Sequence, residues 1–355
     1  MLGNDGITAV AVSGGVDSLY ALVSLKERGE AVLALHGRML PPDLAPAGYE
    51  AMLERLAKTC AALDVPLAVI DCVDAFAEAV INPFVRAYAA GTTPNPCAHC
   101  NVGIKFGLLL DTARDLGATR LATGHYVRLE QSGNTPALYA GQDASKDQSY
   151  FLSLVPLEKL RFAVAPLARK SKDEIRAALA AKGITPPAPG ESQEICFVPN
   201  DDYRAFLLDR AAKLGVALPG PGPVTLPDGK RIGTHNGLWQ YTEGQRKGLG
   251  IAWSEPLYVL AKDLAANALV TGGGACLHGG EIRAGNCNFL VPMAEWPETL
   301  LLRTRFRQTP RPARARFEDG VLILREETPS GPYARGQIAA VYGPDLRVLA
   351  GGVIE

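Results

Sequence analysis

Three of the seven cysteines stand where a thiol could do chemistry. Cys97 and Cys100 share a C-x-x-C spacing inside Gly91-Thr92-Thr93-Pro94-Asn95-Pro96-Cys97-Ala98-His99-Cys100-Asn101, and Cys196 lies in the polar, proline-bounded Gly190-Glu191-Ser192-Gln193-Glu194-Ile195-Cys196-Phe197-Val198-Pro199. The two prolines of the first stretch predict an irregular loop, with a helix starting at Val102. The positive end of that helix would lower the Cys100 pKa from ~8.5 and raise its thiolate fraction. A structural zinc site usually takes four ligands in two close pairs, and Cys60, Cys72, Cys196, Cys276 and Cys287 supply no second C-x-x-C. Redox or sulfur-handling chemistry is the better reading, with inert loop thiols or a zinc-stapled RNA-binding module as the alternatives.

A second constellation points to nucleotides. The apolar run Ile7-Thr8-Ala9-Val10-Ala11-Val12 breaks into Ser13-Gly14-Gly15-Val16-Asp17-Ser18, after which Leu19, Leu22, Val23 and Leu25 recur at helical spacing up to Gly29. A strand therefore passes through a small, hydroxyl-rich turn into a helix N-terminus. Glycines let the backbone approach an oxyanion, open amides at the helix start point toward it, and Ser13 and Ser18 add hydroxyls. No lysine follows the glycines, and the Gly-x-Gly-x-x-Gly pattern is absent, so the kinase-like and dinucleotide turns do not apply.

The elements that must carry these residues alternate. Strands are predicted at 7–12, 31–35, 66–70 and 119–123, and helices at 18–28, 48–63, 73–90 and 102–116, with further helices at 170–182 and 200–213. The pattern implies an α/β fold with a parallel sheet and ligands at the carboxyl ends of its strands. From Leu218 the texture changes to Pro219-Gly220-Pro221-Gly222-Pro223 and short β runs. The expected domains are 1–205 (catalytic), 206–277 (small, central) and 278–355 (a C-terminal β-barrel-like domain). An apolar share of 47% without a long uninterrupted apolar run predicts a folded chain with no membrane span. The N-terminus has no basic region and reads as no signal peptide, so a cytoplasmic location with reduced thiols is expected. A net charge of −1 gives no global pull on nucleic acid, so any RNA must be held by local patches.

Ser13–Ser18 resembles the pyrophosphate loop of the N-type ATP pyrophosphatases. Joined to the two cysteine stretches, to Ile104-Lys105-Phe106, Ala122-Thr123-Gly124-His125-Tyr126, Lys146-Asp147-Gln148-Ser149-Tyr150-Phe151-Leu152, Tyr241-Thr242-Glu243-Gly244-Gln245-Arg246 and Gly248-Leu249-Gly250, and to the terminal Gly336-Gln337 and Gly351-Gly352, it resembles the tRNA-specific 2-thiouridylases over nearly the whole chain. The resemblance implies a parallel-sheet adenine-nucleotide-binding domain and a two-stage reaction. ATP, with Mg²⁺, would adenylate the C2 oxygen of the wobble uridine of tRNA, and a persulfide sulfur would then displace AMP.

The same resemblance assigns residues. Ala11, Val12, Ser13, Gly14, Gly15, Val16, Asp17 and Ser18, with Gly37 and Gly124, would hold ATP. Cys196 would carry the persulfide and Cys100 would be the nucleophilic partner thiol, able to pair with Cys196 as a disulfide. Asn95, Pro96 and Cys97 would lie against the target base, flipped out of the anticodon stack. His125, Lys146, Asp147, Gln148, Arg305, Phe306 and Gln337 would contact tRNA, and a persulfide-donating sulfur-relay protein would be the second partner. Another adenylating pyrophosphatase, a thiolase of a different tRNA base or an amide-forming ligase, is the alternative activity.

Arg303-Thr304-Arg305-Phe306-Arg307, with Arg311, Arg314 and Arg316 behind it, is the richest local basic patch. Strand alternation would set Arg303, Arg305 and Arg307 on one face as a row of guanidiniums for phosphates. Three positions depart from the family pattern: Cys97 where some relatives carry an acid, Glu243 in place of an apolar residue, and a short, proline-rich stretch between Leu40 and Tyr49.

Overall fold

The computed structural model describes residues 6–132, 135–188, 195–277 and 279–355. The chain divides into two compact units. One gathers the stretch up to Val80, Cys97–Asp201 and Asp345–Val348; the other gathers Ile81–Pro96, Asp202–Pro344 and Leu349–Glu355.

The first unit is built on five strands: β1 (Ile7–Ala11), β2 (Val32–Arg38), β3 (Leu67–Asp71), β4 (Ala118–Ala122) and, after the antiparallel hairpin β5 (Val127–Ser132) and β6 (Thr135–Ala140), the short β7 (Ala163–Val164). Their order is β3-β2-β1-β4-β7, all neighbours parallel. Such strands are covered on both faces and are apolar throughout, as Ala9 and Val10 (both fully buried) and Leu35 show. β1 stands between β2 and β4, so connections leave it in opposite directions and a crevice opens beyond its carboxyl end. Ser13 follows β1 into that crevice, and Thr123-Gly124-His125 follows β4. The Val16–Glu27 helix buries Leu19, Leu22, Val23 and Leu25 against this sheet and against Ile175, Leu179 and Ile184.

The predicted strands and helices of this region are present, with one change of consequence. Pro94–Cys100 is not a continuous loop: helix begins at Pro96 and passes through Cys100 into a π-helical stretch, Asn101–Leu109. A proline at the first helical position gives up no bond, because the first amides of a helix have no internal partner.

The second unit carries two β assemblies. β8 (Gly222–Thr225), β9 (Arg231–His235), β10 (Tyr258–Asp263) and β11 (Ala268–Gly272) form a sheet in the order β10-β11-β8-β9 around Val224, Leu238, Tyr241, Val259 and Leu269. β12 (Ile282–Phe289), β13 (Leu300–Arg303), β14 (Arg311–Glu318), β15 (Val321–Glu326), β16 (Ile338–Tyr342) and β17 (Val348–Ile354) close into a six-stranded barrel filled by Leu302, Leu322, Leu324, Val341 and Ala350. The architecture is the expected one, an α/β N-terminal region followed by a central sheet and a C-terminal barrel. Among the described residues no helix is long and apolar enough to cross a membrane.

Candidate active site

Gly14 takes a φ of +86°, a conformation that glycine enters without penalty, and a Cβ there would sit 2.6 Å from the Met52 sulfur. The hydroxyls of Ser13 and Ser18 serve the turn itself. Ser18 Oγ accepts from the Ser13 amide at 3.1 Å and donates to the Gly15 carbonyl at 3.1 Å, and the two hydroxyls lie 3.2 Å apart. No side chain caps the Val16–Glu27 helix, so its first amides remain available to an anion.

Asp17 on the first turn of that helix is held from two directions. Tyr126 donates its hydroxyl to Oδ1 at 2.6 Å, and Lys172 Nζ reaches Oδ1 and Oδ2 at 2.8 and 2.7 Å. Lys172 is buried and begins the Lys172–Ala181 helix, whose N-terminus is closed by the reciprocal Ser171–Glu174 capping box. A cation at a helix N-terminus opposes the macrodipole, so this lysine is kept there by the Asp17 carboxylate. The sequence reading missed Lys172. Its local signal was the capping box, which places Lys172 at the first helical position.

Gly124 is the join between loop and thiols. A Cβ on Gly124 would fall 2.9 Å from the Ser18 amide nitrogen and 3.0 Å from the Asp17 carbonyl carbon, so only glycine lets the segment after β4 lie against the helix start. The next residue, His125, is buried, with Nδ1 2.8 Å from Thr123 Oγ1 and Nε2 3.2 Å from Lys105 Nζ. An ammonium only donates, so Nε2 accepts and the proton sits on Nδ1. Burial, with Lys105 beside it, holds the His125 pKa well below 6.5. Phe106 stacks on the ring at 6.2 Å.

Lys105 in turn faces the thiols, lowering the pKa of Cys97, Cys100 and Cys196, but burial outweighs it at all three. Cys196 is pushed up to about 12, first by desolvation and then by the Cys100 and Cys97 thiols beside it. Its residue keeps solvent access, as Cys97 does, while Cys100 is half-buried. The expected lowering of the Cys100 pKa is therefore overturned. The helix begins at Pro96, so Cys100 lies a turn beyond the positive end, and burial raises its pKa. A fourth thiol, Cys72, also lies in the Cys100 field; it is buried, with its pKa raised to about 11. Gly190–Glu194 of the Cys196 motif lies outside the described residues.

The other sequence-assigned residues fall into distinct settings. Gly37 is on β2, where a Cβ would meet Met39 at 2.8 Å and the Cys72 sulfur at 3.2 Å. Neighbouring His36 is buried, bonded to the Val12 carbonyl at 2.7 Å and the Tyr49 hydroxyl at 2.8 Å, which fixes the strand beside the loop. Asp147 is buried, accepting from the Gly141 amide and the Ser149 amide and hydroxyl, and Gln148 Oε1 accepts from the Tyr126 amide. Both therefore shape the turn.

In the second unit, the Thr92–Pro96 loop is clamped by the barrel. The Thr93 amide donates to the Arg335 carbonyl at 2.7 Å, and Gln337 Nε2 donates to the Thr93 and Pro94 carbonyls at 2.9 and 3.1 Å. Arg305 Nη2 donates to the carbonyls of Glu243 and Pro332, both at 3.2 Å. The expected row of Arg303, Arg305 and Arg307 does not form. β13 ends at Arg303, which is buried with its guanidinium 5.0 Å from the Tyr342 ring, and Arg307 has a φ of +65°. Arg316 is paired with Glu281 and Glu318 at 2.8 Å.

Residues 7–200 match the family described as the tRNA methyl transferase HUP domain, and residues 213–273 match its PRC-barrel domain. Over 350 residues, 98% of both chains, the protein is 53% identical to the tRNA-specific 2-thiouridylase MnmA of Nitratidesulfovibrio vulgaris (Miyazaki F). The chain belongs to the tRNA-specific 2-thiouridylase family. MnmA proteins of Oleidesulfovibrio alaskensis and Lawsonia intracellularis are 52% and 46% identical, each over 98% of both chains. The 2-thiouridylase HUP match takes in the Ser13–Ser18 loop, Lys172 and all three clustered thiols, and the PRC-barrel match takes in β8 to β11.

Proposed function

We propose that this protein is a tRNA uridine 2-sulfurtransferase that uses ATP to activate the C2 oxygen of the wobble uridine and a cysteine persulfide to replace it. The observation that supports this reading is the run of contacts from Ser18 through Gly124, His125 and Lys105 to Cys97, Cys100 and Cys196, which joins a glycine turn at a helix start to a thiol cluster. A carbonyl oxygen leaves poorly until it is esterified to phosphate, so both halves must serve one base.

In the first stage the open amides after Gly15 and the Lys172 ammonium take the charge of the pyrophosphate, while the uracil oxygen attacks the α-phosphorus and pyrophosphate departs. Gly37 and the Ala11–Val12 backbone would lie against the adenosine. Among the described residues no group of three or more His, Cys, Asp or Glu side chains is placed to cage a metal. Asp17 is the carboxylate at the loop, a donor set that suits Mg²⁺ arriving on phosphate oxygens. Bound there, the ion would neutralise charge on the leaving pyrophosphate.

In the second stage the terminal sulfur of a Cys196 persulfide attacks C2 and AMP leaves with the oxygen. Cys100 thiolate then attacks Cys196 Sγ, the sulfur–sulfur bond breaks, and its electrons form the C2 thiocarbonyl. A Cys100–Cys196 disulfide results, which an external dithiol must reduce before the next turnover. Asn95, Pro96 and Cys97 would receive the flipped base, and His125, through Lys105, would hold the cation beside the thiols. Lys146, Arg305 and Phe306 would meet the tRNA, with Asp147, Gln148 and Gln337 acting through the backbone they fix. A protein persulfide donor in the cytoplasm would reload Cys196; all seven thiols are unpaired.

A single turnover of protein carrying a Cys196 persulfide with unmodified tRNA, ATP and Mg²⁺, followed by digestion and mass spectrometry, tests the reading. Equal amounts of 2-thiouridine and AMP are expected. AMP without a thionucleoside would keep the adenylation and move the acceptor elsewhere.

A further inference from the structure

The loop from Arg246 to Leu257, on the central sheet, leaves an open cavity of about 510 Å³. Its floor is apolar: Leu249 and Ile251 pack on the Val224–Leu238–Val259 core and anchor the loop. Gly248 and Gly250, at φ values of +79° and +68°, set its turns. Trp253 also lines the cavity and is 40% exposed, whereas Trp239 is buried and Trp296 donates its indole N–H to the Val291 carbonyl. An indole left open to water is a poor use of apolar area unless something covers it.

The surroundings of Trp253 are cationic. Lys230 Nζ lies 5.9 Å from the indole ring, and Arg246 lines the same cavity with Lys247 next in sequence. All three are exposed, and among the described residues none is in an ion pair. Glu255 is the one acid of the lining among the described residues. Net charge over the whole chain is −1, so this local excess of positive charge is not a reflection of composition. A flat π-surface flanked by cations that are in no ion pair is complementary to a base with its phosphates, and base–aromatic stacking tolerates any sequence. The volume is that of an ordinary small-ligand site and accommodates one nucleotide.

We propose that the Arg246–Leu257 loop is a second RNA-contact site, where Trp253 stacks on an unpaired nucleotide of the tRNA substrate and Arg246 and Lys230 hold its phosphates. The site rests on the reading of this chain as a tRNA-modifying enzyme.

Titration with unmodified tRNA, followed by intrinsic fluorescence and repeated across salt concentrations, tests it. The wild type is expected to lose tryptophan emission on binding, and Trp253→Phe to lose most of that signal while its Kd stays within about threefold, since phenylalanine still stacks. Trp253→Ala is expected to weaken binding about tenfold or more. Arg246→Gln should flatten the slope of log Kd against log salt by about one. ATP binding by each variant reports that it is folded. Unchanged quenching, affinity and salt slope in all three variants, with wild-type binding intact, would overturn the site and leave the enzyme reading standing. A wild type that binds no tRNA at all would instead overturn the enzyme reading, and this site with it.

Discussion

Lys105 Nζ stands 3.2 Å from His125 Nε2, so a neutral, buried imidazole fixes a cation that faces Cys97, Cys100 and Cys196. The ring is itself locked by Thr123 and carried by the segment that Gly124 presses against the ATP-type loop. The thiol cluster and the glycine turn are thus joined through one segment, Thr123–His125.

Removing that cation should make the thiols harder to ionise. Lys105→Met is expected to slow alkylation of Cys196 by iodoacetamide at pH 8 several-fold, with stability changed little. Because the Cys196 pKa stands near about 12, its alkylation rate in the free protein should climb about tenfold per pH unit from pH 7 to 10. A plateau above pH 8, read by mass spectrometry of the Cys196 peptide, would contradict this.

Lys172→Met should abolish adenylation more strongly than it weakens tRNA binding, with a loss of about a hundredfold in AMP formation. The substitution also leaves Asp17 without its cation, so the double variant Lys172→Met, Asp17→Asn separates the two effects. If the double variant recovers stability but not AMP release, the pair acts on the phosphates and their metal; recovery of both would make the pair structural.

Acid should destabilise the fold through its buried histidines. His125 and His36 both have pKa values lowered by burial, so the folded protein refuses protons that the unfolded chain accepts near 6.5. The stabilisation is complete above that value and is lost as pH falls through it, at up to about 1.4 kcal/mol per unit for each fully neutral histidine. Thermal unfolding between pH 7.5 and 5.5 is expected to show Tm falling with pH. A Tm independent of pH over that range would contradict the buried, neutral assignment.

Gly14→Ala is expected to cost about 1–2 kcal/mol from the left-handed backbone alone, and to weaken ATP binding while tRNA binding persists. Calorimetric titration with each ligand separately reads the two effects.

Gln337→Ala removes both bonds to the Thr93 and Pro94 carbonyls, and should raise KM for tRNA about tenfold while leaving KM for ATP near its original value. A rise in both would mean that the barrel side chain supports the fold as a whole and not the Thr92–Pro96 loop.

Much of this protein was written locally. The β1-loop-helix unit is legible because apolar period, glycine and hydroxyl positions all lie within a dozen residues, and the C-x-x-C pair and Cys196 declare themselves by residue type and polar context. The alternation of strands and helices up to residue 125 likewise follows from short-range pattern, as does the change to β texture after Leu218. What tertiary structure decided are relationships between distant parts of the chain. Lys172 meets Asp17 across 155 residues, and Gln337 reaches the Thr93 carbonyl across 244. No spacing rule could have paired them. The Arg303–Arg307 row failed for a related reason: alternation holds only while a strand lasts, and β13 ends at Arg303. The thiol pKa values were decided the same way, because desolvation by surrounding protein, which a sequence does not display, outweighs the helix end that it does.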